Sequence, residues 1–473
     1  MAQTHFKRLD DEGRALHDNW DDIARLVLLV GLLSTLVWGA CTALRELVHL
    51  ALHGLFHVTE TQDLAGALTL LGIMGVGGAV RGVLLRREAW LTVAGDGIDL
   101  ALANYHLTYE HAGDDPQPRY DKPAFTLAAR KFVATLLTLG TGGSGGLEAP
   151  VVLIAEALSA GFSRVLRVRS EYELRTYQLA AIAAAAATLL GAPFTAALFA
   201  TEIAYGDRII YRKLAYALWA GVLAFWLNTQ LHGYRPLFVG PAHSPVYSGA
   251  EYAAAALVAV AVSVPVALGF GLGMSQLQEL VKKLRPAWHA VVTSLSAGGL
   301  ALLLWWSVSL RPSHVLGTGE ETLKLIFDDG PELAAWWLLV ILLMGKMTTT
   351  ALTLGGGGSA GLLVPSMYLG GVAGALVARL VNLTGLVQLD PALFAVVGIG
   401  SSLVAVVGVP LAAIALVFEV FGKAYGPPAI LACGITYLVT LKFKIYKQQR
   451  MSTDPEADET SRPPGHTPEG ASS

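Results

Sequence analysis

Of the chain's 473 residues, 54% are hydrophobic and only 15% charged, and the mean hydropathy is +0.53, far more apolar than a soluble domain. The formal net charge of -3 sits in the loops and at the two ends, so no nucleic-acid partner follows from it. The composition is that of a polytopic membrane protein, with the lipid bilayer as its surroundings.

In chain order, residues 1–22 are charged and read as a cytoplasmic N-terminal segment. The apolar run that follows, 26–40, continues into the next segment without a small-residue cleavage site, so no removable signal peptide is expected. A bilayer span needs roughly 17–25 apolar residues. Candidate segments fall at 24–48, 65–85, 126–141, 149–163, 176–205, 210–231, 251–279, 288–310, 334–354, 361–381, 389–409 and 411–441. Several are too long for one span and others too short, which leaves the helix count open. Lys7, Arg8, Arg14 and Arg25 precede the first span, and Lys442, Lys444, Lys447 and Arg450 follow the last. By the positive-inside rule both ends belong on the cytoplasmic side of a cell membrane. Cys41 and Cys433 lie in apolar stretches and form no disulfide pattern.

The proline- and glycine-rich stretch 232–250 divides the apolar body, giving a first membrane repeat over 23–231, a linker over 232–250 and a second repeat over 251–446. Residues 447–473 form a polar, proline-rich tail of disordered composition. The two halves are copies of one another. TLGTGGSGGLEAP, starting at Thr138, aligns without a gap to TLGGGGSAGLLVP, starting at Thr353, and Lys131 and Lys346 keep the same register. GAPFTAALFATEI, starting at Gly191, aligns to GVPLAAIALVFEV, starting at Gly408. Such duplication in a membrane chain points to a transporter of two halves, commonly of inverted topology, with its site at their interface near the bilayer midplane. The expected fold is an all-α polytopic membrane protein of two inverted-repeat halves with tilted and broken helices.

Glycine runs inside the membrane leave N–H groups that hydrocarbon cannot satisfy. Each run is followed by a helix start, with Pro150 and Pro365 in the first turn, where a missing N–H costs nothing. A helix start carries about half a positive charge, so two of them converging make an anion site without lysine or arginine. Partial charges spread over backbone also let the anion leave. Glu148, set in GGSGGLEAPV, is an acid aimed at such a site: ionised it is stabilised by the helix starts, and protonation frees the position.

These strings resemble those of the CLC family of chloride channels and chloride/proton exchangers, over roughly 25–447. GLEAP (146–150) is similar to the family's G-[KR]-E-G-P, GLLVP (361–365) to its G-x-F-x-P, and GDGID (95–99) stands where the family has G-S-G-I-P. Tyr446 stands where a tyrosine closes the inner side of the anion path. The resemblance implies that Glu148 is the gating glutamate and that backbone N–H groups around Leu147, Glu148, Ala149, Leu362, Leu363 and Val364 bind the anion. It also implies a homodimer with one pore per subunit and transport of a small inorganic anion, chloride by default, in exchange for protons; no cofactor and no metal are expected.

Departures accompany the matches. Leu147 replaces a basic residue, Ala149 a glycine and Leu363 a phenylalanine, and Ile203 stands where many exchangers carry an inner glutamate. Asp96 stands at the serine that usually donates to the central anion. A carboxylate about 4 Å from an anion repels it by roughly 4 kcal/mol at an effective dielectric of about 20. Three readings stand for Asp96: a helix cap turned onto its own N–H groups, with Asp99 completing a capping box; a titrating station on the proton pathway with Glu148; or a substrate other than chloride.

Blander readings stand beside these. Glu148 is also placed to pair with a base such as Lys131. Ser144 and Ser359 lie in G-x-S-x-G strings, but a hydrolase elbow needs a strand-to-helix turn and a histidine, so the match is a by-product of glycine content and no enzyme is read. His49, His53 and His57 share one helix face without a carboxylate or cysteine cluster, which favours packing over metal. Glu202 and Glu419, equivalent in the two repeats, read as partners of backbone amides. Passive anion flow, and a transporter of another solute on the same architecture, remain as alternatives.

Overall fold

The computed structural model describes residues 19–110, 123–204, 211–234, 236–241, 245, 248–261, 269, 273, 286–328 and 330–441, with backbone alone at 107–110, 286–287 and 331. Among them the architecture is helical, as the composition predicts. The first half runs α1 Trp20–His57, α2 Leu64–Leu84, a single turn Glu88–Leu91, α3 Ile98–Glu110, α4 Ala124–Gly140, α5 Glu148–Val165, α6 Glu171–Leu190, α7 Pro193–Glu202 and α8 Tyr211–His232. The second half runs α9 Gly249–Ala261, α10 Pro286–Val308, α11 Glu320–Phe327, α12 Trp336–Gly355, α13 Leu363–Asn382, α14 Pro391–Val407, α15 Pro410–Leu416 and α16 Gly426–Thr440. Of these, α1, α2, α8, α10, α12 and α13 are long and apolar enough to cross a membrane.

Two of the overlong apolar segments resolve into broken helices. The run 176–205 divides at Gly191, whose φ of 66° closes α6, and Pro193 opens α7. The run 411–441 divides into α15, a π turn over Val417–Phe421, and α16. Conversely, α1 has 38 residues, about 57 Å at a rise of 1.5 Å per residue, against a hydrocarbon core of about 30 Å. It therefore tilts or projects well beyond the core. Leu28, Leu32 and Leu36 of α1 are exposed while Val30, Leu33, Val37, Cys41 and Leu44 are buried, the pattern of a helix apolar all round with lipid on one side and protein on the other.

The buried centre is built on small residues. The alanine run Ala183–Ala187 of α6 is fully packed. Gly370 and Gly374 of α13 lie against Gly398 and the Phe394 carbonyl of α14, where any side chain would strike backbone. Close approach of helix backbones through small residues is how membrane helices gain contact when lipid offers the same apolar surroundings.

Candidate anion site

The site is the place where the two copies of the glycine string meet. After α4 the backbone unwinds through Gly142, whose φ is 95°, and after α12 through Gly357, whose φ is 75°; an L side chain is strained in both. The freed polar groups are then satisfied reciprocally. The Ser144 N–H donates to Thr353 Oγ1 and the Ser359 N–H to Thr138 Oγ1, each at 3.0 Å. Ser144 Oγ bonds Thr350 Oγ1 and Ser359 Oγ bonds Thr135 Oγ1, each at 2.9 Å. Every bond recurs with the repeats exchanged, as an approximate two-fold relation requires. These bonds also give both G-x-S-x-G serines threonine partners, which fits packing and not nucleophilic catalysis.

Gly146 and Gly361 complete the junction as an antiparallel bridge, Gly146 N–H to Gly361 O at 2.9 Å and Gly361 N–H to Gly146 O at 2.7 Å. Two residues beyond each lies a helix start, Glu148 of α5 and Leu363 of α13. The bridge thus brings Leu147, Glu148 and Ala149 beside Leu362, Leu363 and Val364, and all six are buried. Neither helix start carries a side-chain cap at Leu147 or Leu362.

Glu148 fills this junction. Its side chain is buried and its Oε2 has no hydrogen-bond partner. A Cβ on Gly146 would lie 2.5 Å from that oxygen and 3.3 Å from the Val364 nitrogen, so the carboxylate and the second helix start crowd the same few ångströms. On the other side, a Cβ on Gly361 would lie 3.1 Å from the Ala149 nitrogen. Lys131 is occupied elsewhere: its ammonium donates to Val93 O at 3.1 Å and Gly95 O at 2.7 Å. Its counterpart Lys346 donates to Gly317 O at 2.7 Å.

Those lysines mark a third element of the duplication that the sequence alignment missed. GDGID at 95–99 corresponds to GTGEE at 317–321, with Gly95, Gly97, Gly317 and Gly319 all at positive φ. Asp96 accepts the Ile98 N–H at 3.1 Å, the geometry of a cap at the start of α3. The neighbouring Gly95 N–H donates to Gly358 O at 2.8 Å, which ties the Asp96 loop to the second glycine run. The counterpart of Asp96 is Thr318, and Glu320 opens α11 as Ile98 opens α3. Tyr446 lies outside the described residues.

Glu202 and Glu419 are reciprocal caps. Glu202 accepts the N–H groups of Leu411 at 3.1 Å and Ala412 at 2.9 Å, at the start of α15. Glu419 accepts those of Phe194 at 3.1 Å and Thr195 at 2.8 Å, at the start of α7. His49, His53 and His57 lie exposed along α1; the rings of His53 and His57 stack at 6.3 Å. His57 Nδ1 lies 2.9 Å from Glu60, whose carboxyl this hydrogen bond holds below its usual range. Among the described residues no group of ligands is arranged to hold a metal.

Comparison with known proteins identifies the family and agrees with the fold. The family model described as "Voltage gated chloride channel" matches residues 77–441. A "Chloride/fluoride channel protein" of Pseudomonas syringae pv. tomato (strain ATCC BAA-871 / DC3000) is 27% identical over 332 residues, 68% of each chain. Similar solved structures include a CLC-type fluoride/proton antiporter, at 20% identity with TM-score 0.73, covering 92% of this chain and 100% of that one. A slow cyanobacterial Cl-/H+ antiporter has TM-score 0.73 at 19% identity, covering 88% and 94%. A eukaryotic CLC transporter has TM-score 0.70 at 19% identity, covering 90% and 73%. With the motifs, the fold and the family match in agreement, the chain belongs to the voltage-gated chloride channel (CLC) family of multi-pass membrane anion transport proteins.

Proposed function

We propose that the protein moves a small monovalent anion, chloride by default, in exchange for protons, through a site formed by the starts of α5 and α13 and gated by Glu148. The observation that carries this is the Gly146–Gly361 bridge, which sets two helix starts side by side with one carboxylate between them. Helix-start amides favour negative charge, and the ionised carboxylate and the anion compete for them. Protonation removes the competitor, so one group links the proton to the anion. Leu147, Ala149, Leu362, Leu363 and Val364 supply the amides. Asp96, capping α3 beside the same junction, shapes the inner end of the path, and Tyr446 is assigned to its cytoplasmic exit.

The basic residues before α1 and after α16 support a cytoplasmic location for both termini. The end of α1 with His57 is then outside. A homodimer with one such site per subunit completes the proposal.

A second reading, passive anion flow, is favoured by Ile203, an apolar residue where many exchangers carry an inner acid. Fluoride as the preferred anion has the support of the relatives named for it. Reconstitution separates these readings. In proteoliposomes with a chloride or fluoride gradient, exchange predicts proton uptake driven by the anion, abolished by Glu148→Gln. Anion flux without proton movement favours the channel, and loss of all halide and nitrate flux favours another solute.

A further inference from the structure

The third pair of the duplication puts a second acid beside the gate. The Gly145 N–H donates to Gly317 O at 3.2 Å. Three residues beyond each lie Glu148 and Glu320, and each is the first residue of its helix. The two carboxylates are within electrostatic reach of one another, and Glu148 Oε2 is the buried oxygen without a partner. In the first repeat the equivalent position is Ile98, so the acid occurs on one side of the two-fold relation only.

The groups facing Glu320 come from four elements. Arg45 and His49 of α1, Thr318 and Glu321 of its own segment, Lys346 of α12 and Glu148 of α5 lie within electrostatic reach of it. Two of the cations are fixed. Arg45 donates to Thr188 O at 2.9 Å and Asn228 Oδ1 at 3.0 Å, while Lys346 donates to Gly317 O at 2.7 Å. His49 is the group among the cations able to relay a proton, through its two ring nitrogens. It is exposed, one turn from Arg45, and leads along the same face to His53 and His57. A structural reading of Glu320 as a helix-start acid leaves its position unexplained, because the exposed Glu321 already supplies that charge to α11.

We propose that Glu320 is the outer proton donor to Glu148, loaded from solution through His49. This rests on the assignment of Glu148 as the gate. One proton passes from the His49 imidazolium to the Glu320 carboxylate, then from the Glu320 carboxylic acid to the Glu148 carboxylate. At each transfer the donor's charge falls by one and the acceptor's rises by one, no other bond changes, and His49 regains its proton from the outer solution.

The test uses the full chain in proteoliposomes, with anion and proton fluxes recorded together over an external pH series, for wild type, Glu320→Gln, Glu320→Asp, His49→Ala, Glu321→Gln and Glu148→Gln. The expected result for Glu320→Gln is proton uptake about tenfold slower at neutral external pH and recovered in acid, where water protonates Glu148 directly. A tenfold rate change corresponds to about 1.4 kcal/mol in the barrier. Glu320→Asp restores uptake, His49→Ala shifts the pH profile toward acid, and Glu321→Gln matches wild type. A purely structural role lowers anion flux and proton flux equally at every pH and is not rescued by Glu320→Asp, and that result overturns the proposal. So does a wild-type profile in both Glu320→Gln and His49→Ala. If Glu148→Gln leaves coupling unchanged, it is the gate assignment that fails.

Discussion

Gly146 and Gly361 exchange both of their backbone hydrogen bonds, at 2.9 and 2.7 Å, and so join the two copies of one ancestral string two residues before each helix begins. The bridge solves two problems together. It satisfies backbone that lipid cannot, and it fixes the two helix starts relative to each other, so that an anion or a carboxylate between them meets donors already in place.

Gly146 leaves room for the Glu148 carboxylate, the proposed gate. A Cβ there would lie 2.5 Å from Glu148 Oε2 and 3.1 Å from Val364 Cβ. Gly146→Ala is expected to displace the carboxylate, so that anion flux persists while its dependence on acid weakens. Gly361→Ala, whose Cβ would meet Ala149 instead, is expected to lower flux without that change. Paired flux measurements over pH check both.

Anion flux in wild type is expected to rise as external pH falls, because in the proposed competition protonation removes the charge with which Glu148 rivals the anion for the helix-start amides. The sign is fixed: the neutral side chain competes less well than the anion. Glu148→Gln is neutral at every pH and is expected to give a flat profile. A profile that falls with acid in wild type would contradict the competition.

Much of this was legible in the sequence for a physical reason. Glycine and proline strings encode backbone conformation, which two copies preserve even after Glu148 has become Leu363 in the second. The break at Gly191 was not located by hydropathy, because Gly191 and Pro193 sit inside the apolar run 176–205, where averaged hydropathy does not distinguish a turn from a span. Glu320 was missed because GTGEE shares only its two glycines with GDGID and falls between the segments drawn at 288–310 and 334–354. The conserved contact of Lys131 and Lys346 with the first glycine of each string is what makes the two strings equivalent.

Glu202 and Glu419 are expected to matter for stability more than for transport. Each carboxylate accepts two helix-start N–H groups of the other repeat, and loss of a charged hydrogen bond costs about 1.5–3 kcal/mol. Glu202 is 2% exposed and Glu419 is less buried, so Glu202→Gln is expected to lower the thermal midpoint more than Glu419→Gln. Transport per folded protein stays within about twofold of wild type, about 0.4 kcal/mol in the barrier. Loss of proton coupling in Glu202→Gln at unchanged stability would instead make it a transport residue.

Asp96→Ser separates the readings of that position. Serine preserves the cap on Ile98 and removes a negative charge near the proposed anion path. The expected outcome is an unchanged thermal midpoint, retained proton coupling and anion affinity several-fold higher. Coupling lost with affinity unchanged would make Asp96 a proton station.

The most direct measurement is the anomalous signal of bromide in crystals of Glu148→Gln and of wild type. With the charge removed, a bromide peak is predicted between the amides of Glu148 and Val364, stronger than in wild type at the same pH and bromide concentration. No density there, or density placed only away from the Gly146–Gly361 junction, would contradict a shared anion site between the two helix starts.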